Sequence, residues 1–399
     1  MNQKFWIVAL IAFINSLSAT ILIPIIYVYG KQFGLNDFQT SLLFSIYSIS
    51  QFFATPVIGK LSDRFGRKPL LILSLAGTVI ANLIAGTAPT AIILFAARFL
   101  DGITGGNISV AQAIISDVTS AENRAKAFGI FGAAFGLGFV LGPAISLMAQ
   151  QISLGTSFLV SSAIAGIGLL VTIFFLPETI KSRTNKFGNI FDLGLKNLIT
   201  GLAIPKVGIL LLINFGIGTT FTIFTYAFQP YFIHVLNQNS KSLTLFFVLI
   251  GVVGLLMQTV GIQLLTKRFN LMTILFLALF VRSLSFVLMP IWANILYFVG
   301  VSILFSIFNS LVQPMINTLI SLNAKPEDQG TVMGLNASYL SISNAVGPVI
   351  AGMLINQAYP QTYSYSLYLA GILTFLVLLL AVFTRKKYAE EEKGFSKVS

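Results

Sequence analysis

The chain has 399 residues, 56% of them hydrophobic and only 9% charged, with a formal net charge of +12. Soluble domains average about 45–50% apolar and about 25% charged residues, so a water-facing shell is excluded and repeated crossing of a bilayer is indicated. The lack of cysteine excludes disulfide and thiolate chemistry, and the single histidine, His234, excludes a histidine-cluster metal site; neither metal nor cofactor is expected.

A span needs about 20 apolar residues. Interruptions by Gly, Pro, Asn and charge leave twelve candidates, at 5–29, 39–59, 69–88, 91–116, 125–149, 155–176, 207–234, 243–265, 270–289, 293–322, 330–356 and 364–384. Backbone groups in hydrocarbon must bond within their own segment, which makes these helices. The first run is longer than a signal-peptide core and has no small-x-small cleavage pattern, so no cleaved leader is expected.

Between the second and third spans, Gly59 to Leu70 reads G-K-L-S-D-R-F-G-R-K-P-L and gathers Lys60, Asp63, Arg64, Arg67 and Lys68. The expectation is a tight loop, with Gly59 and Gly66 permitting a sharp turn and close helix approach. A topology signal needs only the basic residues and leaves Asp63 unexplained.

The fourth span carries Arg98 and Asp101 in R-F-L-D-G-I-T-G-G-N. Residues three apart share a helix face, a face that Gly105 and Gln112 are expected to continue. An ionised group at mid-membrane costs about 2.5–3.5 kcal/mol even on insertion scales and normally faces a partner or a cavity. The pair therefore either fastens one helix to another or borders a transport path, with Asp101 able to take a proton. The fifth span ends in Gly136, Gly138, Gly142 and Pro143, small residues that let backbones touch. Residues 177–205 form a polar, basic linker that can hold an amphipathic segment, and 385–399 a solvated tail.

In the second half, Arg282 is a lone charge within the ninth span, free to snorkel, pair with a polar residue or face a cavity. Asn15, Gln112, Tyr226, Gln229, Asn309, Gln313, Asn317 and Asn336 are polar at membrane depth. Asn309, Gln313 and Asn317 are spaced by four and share a face. Each is a cavity candidate or an interhelical hydrogen-bonding group.

With a cytoplasmic N-terminus, Lys4, the Lys60–Lys68 cluster, Arg124, Lys126, the linker lysines and the basic tail all fall inside, and only Lys31 and Lys241 outside. That asymmetry satisfies the positive-inside rule and explains the positive charge without nucleic acid. An even number of spans puts both termini in the cytoplasm.

The chain also repeats itself. Glu122, Gly129, Gly142 and Pro143 recur as Glu327, Gly334, Gly347 and Pro348, each 205 residues on. The expected organisation is a six-helix bundle at 1–176, the linker at 177–205, a second bundle at 206–384 and the tail. The second half lacks a counterpart of Asp63 and its glycines around 263–270.

The motif G-x-x-x-D-R-x-G-R-K-x-L resembles the signature between helices 2 and 3 of the major facilitator superfamily. Arg98 resembles the helix-4 arginine of that family's proton antiporters, and G-F-V-L-G-P the antiporter motif of helix 5, with Ser146-Leu147 departing from its usual small pair. Ile21 to Tyr27, I-L-I-P-I-I-Y, resembles the proline-containing end of helix 1 in the drug:proton antiporters. Gly59 to Thr179 is most similar to the tetracycline-efflux branch, except that Asn15 and Ala81-Asn82 stand where that branch carries carboxylates. Asp101 is then the one acid deep in a predicted helix.

The resemblance implies a latch on the cytoplasmic side at Gly59, Asp63, Arg64, Gly66, Arg67 and Lys68, joined by Arg124, with Asp63 beside the start of helix 11. It also implies a cavity lined by helices 1, 4, 7 and 10. The function it implies is proton-coupled export of amphipathic small molecules by a monomer in the bacterial plasma membrane. An uncoupled facilitator or a metabolite importer of the same fold is the alternative. No enzyme is expected, because no paired Asp, His cluster or activated Ser/Lys arrangement appears in the spans.

Overall fold

The computed structural model describes residues 3–119, 124–180, 195–325 and 329–385, which are helical with no strand among them. The first unit, Met1–Asn36, Leu43–Gly194 and Ser240–Val248, holds most of the first half of the chain. Its helices are α1 (Gln3–Leu22), α2 (Ile26–Gln32), α3 (Asp37–Phe65) from Leu43 on, α4 (Arg67–Gly86), α5 (Ala91–Thr104), α6 (Asn107–Val118), α7 (Arg124–Ala149), α8 (Leu154–Phe175) and the start of α11 (Ser240–Leu256). The second unit is Asp37–Leu42, Leu195–Asn239 and Leu249–Ser399. It contains α9 (Leu195–Leu202), α10 (Val207–Pro230), the second part of α11 from Leu249 on, α12 (Ile262–Thr266), α13 (Leu271–Leu288), α14 (Ile295–Asn323), α15 (Gln329–Met353) and α16 (Thr362–Thr384), with π-helical turns at Tyr231–Val235 and Met257–Gly261. The expected tail and most of the linker, 181–194, lie outside the described residues, as do Glu122 and Glu327; the described end of the linker contains α9.

Eleven of these helical stretches are long and apolar enough to cross a membrane. The twelfth, α15, is long enough but is diluted by Asn336, Ser338, Ser341, Ser343 and Asn344. The chain is a multi-pass membrane protein.

Three expectations are corrected. The single helix at 5–29 is broken at Ile23–Ile25, where Pro24 has no N–H for the ladder. The helix at 91–116 ends at Thr104 and restarts at Asn107 after Gly105-Gly106. The charged stretch at Gly59 is not a loop: α3 runs through it to Phe65, and the chain turns on one residue, Gly66, at φ +115°. That backbone region favours glycine.

The repeated glycines do the same work in both units. A methyl group on Gly142 would lie 2.9 Å from the Ile21 nitrogen, and one on Gly347 would lie 3.0 Å from the Ile223 nitrogen. The Thr20 hydroxyl donates to the Gly138 carbonyl at 2.6 Å, and the Thr222 hydroxyl to the Ser343 carbonyl at 2.8 Å. So α1 packs backbone to backbone on α7, and α10 on α15.

In the first unit two apolar clusters are separated along α1. One contains Phe5, Val8 and Ile11; the other contains Ile21, Leu22 and Ile25. Between them sit buried Asn15, Ser16, Ser18 and Thr20. This polar layer continues on α4 in Ser74, Thr78 and Asn82, and on α5 in Arg98 and Asp101.

Candidate functional site

The layer's charged centre is on α5, whose start is capped by the Thr90 hydroxyl accepting from the Ile93 N–H at 3.4 Å. Arg98 Nη1 donates to Asp101 Oδ2 at 3.0 Å, and both residues are only 7% exposed. The bond is single-pronged, and Arg98 Nε has no hydrogen-bond partner among the described residues. The Thr78 hydroxyl on α4 lies close to the Asp101 carboxyl. The guanidinium carbon lies 4.5 Å from the centre of the Tyr47 ring on α3. Gln51 Nε2 reaches the Tyr47 hydroxyl at 3.1 Å and the Gly105 carbonyl at 2.9 Å, tying α3 to the end of α5. A side chain on Gly102 would meet Ser50 and the Tyr47 carbonyl, so the two helices touch here.

The pair is neutral with Asp101 ionised and carries one positive charge once Asp101 takes a proton. Gln112 does not continue this face, because the break at Gly105-Gly106 starts a new helix between them. Sequence reasoning missed Tyr47, Gln51 and Thr78, since nothing in the local pattern marks them.

Of the other polar candidates, Asn15 accepts from Asn107 Nδ2 at 2.7 Å, beside a cavity of about 10 Å³, the order of size that holds one water. Asn82 donates to the Ser161 hydroxyl at 3.2 Å, and Ser161 bonds Ser18. In the second unit the candidates join a chain of amides. Gln313 donates to Asn214 at 3.0 Å, Asn214 to Asn336 at 2.5 Å and Asn336 to Asn317 at 3.0 Å. This chain links α10, α14 and α15, and Asn309 lies outside it. Tyr226 donates to the Asp37 carbonyl, and Gln229 Nε2 to the Thr225 carbonyl at 2.8 Å. His234 stacks on Tyr363 with ring centres 5.2 Å apart.

Arg282 does not snorkel. It is 1% exposed, and its Nη2 donates to the Ile217 carbonyl at 2.7 Å and the Thr220 hydroxyl at 2.8 Å. Its cation lies 5.8 and 5.4 Å from the rings of Phe221 and Phe286. No carboxylate among the described residues pairs with it.

At the Gly66 turn, Arg67 is the hub. Its guanidinium meets Asp63 at 2.6 Å, Asp117 at 3.0 Å and the Ser62 hydroxyl at 2.6 Å. Arg64 lies over the Phe65 ring at 5.0 Å. Gly59 is interior to α3, and a methyl there would meet nothing among the described residues within 4 Å. The side chain of Arg124 lies outside the described residues.

Glu178, which the sequence reading passed over, follows Pro177 just after α8. Its carboxylate accepts from the N–H groups of Arg67 (3.0 Å), Lys68 (3.2 Å), Thr179 (2.8 Å) and Ile180 (3.1 Å). It thereby caps the positive end of α4. Lys68 Nζ returns a bond to the Ile173 carbonyl at 2.7 Å. Burial alone would raise the Glu178 pKa, but the four backbone donors outweigh it and hold the carboxyl below the ordinary value of 4.5.

The family model described as Major Facilitator Superfamily matches residues 8–346 and again 210–398. The tetracycline resistance protein, class B, of Escherichia coli is 25% identical over 387 residues, covering 96% of each chain. The quinolone resistance protein NorA of Staphylococcus aureus is 24% identical, covering 94% of this chain and 97% of that one. Among solved structures, the human organic anion transporter MFSD10 is similar with a TM-score of 0.74 at 21% identity, over 96% of this chain and 100% of that one. At that identity the likeness speaks for the fold.

Proposed function

The chain belongs to the Major Facilitator Superfamily, and from that premise we propose that it is a proton-coupled exporter of amphipathic organic compounds, with Asp101 as the proton site. The observation that carries the reading is the buried Arg98–Asp101 pair, a carboxylate whose charge can change beside a fixed cation. Whole-length similarity to tetracycline and quinolone resistance proteins supports drug-like substrates and export. The alternative of an uncoupled facilitator or a metabolite importer is not favoured by these relatives.

In this reading six-helix bundles at 1–176 and 206–384 carry out transport by alternating access. Asn15, Gln112, Tyr226, Gln229, Asn309, Gln313 and Asn317 are the polar cavity residues of this reading. The cluster of Asp63, Arg64, Gly66, Arg67 and Lys68 is the latch, on the cytoplasmic side that the lysine and arginine asymmetry assigns. Both termini are cytoplasmic, the membrane is the bacterial plasma membrane, and the working unit is a monomer.

The test is proton-driven uptake of tetracycline and a fluoroquinolone into inside-out proteoliposomes. Wild-type protein accumulates at least one of them only when the lumen is acidic, and Asp101→Asn accumulates neither. Accumulation that ignores the pH gradient would exclude coupling. Gradient-driven uptake by Asp101→Asn would remove Asp101 from the proton path.

A further inference from the structure

A buried ion pair that takes up a proton faces a problem that its geometry must solve. Neutralising the carboxylate leaves the guanidinium without a counterion in a low-dielectric interior, and an uncompensated buried charge is strongly destabilising. Among the described residues Arg98 forms an ion pair with Asp101 alone. The charged and titratable groups around it are Asp101 on its own helix and Tyr47 on α3, and α4 places the Thr78 hydroxyl close to Asp101.

The arrangement already contains a second place for the cation. The guanidinium lies over the Tyr47 ring at 4.5 Å, well inside the range in which an aromatic face attracts a cation. Its hold on Asp101 is one hydrogen bond, with Nε unused, rather than the two-pronged grip that would fix it. The ring is itself held in place. Its hydroxyl accepts from Gln51, whose amide also bonds the Gly105 carbonyl at the end of the helix that bears Arg98. Ring and cation therefore keep their spacing when the carboxylate changes state.

We propose that Tyr47 is a positioning residue of the coupling site, whose ring seats the Arg98 guanidinium when Asp101 is protonated. The proposal rests on the reading of Asp101 as the proton site. Proton uptake then does not strand a buried cation. It shifts the weight of an existing contact from the carboxylate to the aromatic face, and proton loss shifts it back. The hydroxyl of Tyr47 orients the ring and the π face does the seating, so phenylalanine keeps most of the function and leucine does not.

The test is a double-mutant cycle on the full chain in mixed micelles, read as the equilibrium constant for SDS-induced unfolding, with no substrate present. Asp101→Asn stands for the protonated carboxyl. Asp101→Asn alone leaves Arg98 on the ring, and Tyr47→Leu alone leaves it on the carboxylate. The double variant removes both seats and is destabilised beyond the product of the singles by about tenfold, in the range of a desolvated cation–π contact. Tyr47→Phe in place of Tyr47→Leu abolishes that excess. Loss of the leucine double variant on purification, with the phenylalanine double variant intact, counts as the same result. Additive effects, or an excess that phenylalanine does not remove, would overturn the proposal. The cycle involves no transport, so a failure of proton coupling in the uptake assay leaves its outcome readable.

Discussion

Among the described residues each unit buries one arginine within its helices, and the two arginines are held by different means. Arg98 in the first unit meets a carboxylate through one bond and an aromatic ring. Arg282 in the second unit meets a carbonyl and a hydroxyl of α10, flanked by two phenylalanine rings. Around them the scaffold is the same: Gly142 on Thr20 and Gly347 on Thr222 repeat one contact. The repeat thus preserves the packing and divides the chemistry. The first unit pairs its buried arginine with a carboxylate, whereas the second ties its cation to the fixed dipoles of α10.

The strongest way to break this contrast is to remove each cation. Arg98→Met strands Asp101 as a buried lone charge and costs about 3–5 kcal/mol of stability in detergent. Adding Asp101→Asn restores most of it. Arg282→Met strands no acid and leaves a carbonyl and a hydroxyl to find other partners, a cost of about 1–3 kcal/mol that no single acid-to-amide change repairs. Equal costs, or rescue of Arg282→Met by such a change, would erase the distinction.

The shared scaffold is sharpened by Gly142→Ala and Gly347→Ala. Both methyl groups meet a threonine and a backbone nitrogen, so unfolding assays should find the two penalties alike, at about 1–3 kcal/mol each. Smaller again is the amide chain: Asn214→Leu, which cuts it in the middle, should cost about 0.6–2 kcal/mol, in both the wild-type and Asp101→Asn backgrounds.

The smallest effect belongs to Glu178. Its folded-state pKa is depressed, so its contribution is complete above the ordinary value of 4.5 and fades as pH falls through the lower folded value. Hydrogen exchange at the Arg67 and Lys68 amides should therefore lose protection at acid pH below that range, after correction for intrinsic rates. Glu178→Gln should lower that protection already at neutral pH and flatten its pH dependence.

Most of the fold was legible because hydropathy counts apolar residues, and a span of about 20 is hard to miss. The breaks at Pro24 and Gly105-Gly106 were not, because both lie inside apolar runs and change the backbone without changing hydropathy. The stretch from Gly59 was misread as a loop for the opposite reason: charge marks the end of the bilayer, while a helix can continue into water, as α3 does to Phe65. At the candidate site, the i, i+3 spacing exposed Arg98 and Asp101 as a pair. Tyr47, Thr78 and Glu178 reach their partners from other helices or across more than a hundred residues, and one sequence does not encode which helix faces lie together. The same limit applies to Gln313 and Asn317: their shared face was readable, and their partners Asn214 and Asn336 were not.

The central claim is that the first unit's carboxylate carries the proton. The most direct measurement is proton release from purified protein in weakly buffered detergent on adding tetracycline or a fluoroquinolone, with Asp101→Asn measured beside it and binding followed separately. The account predicts release by the wild type and none by Asp101→Asn, which still binds the compound. Equal release by both proteins would contradict it.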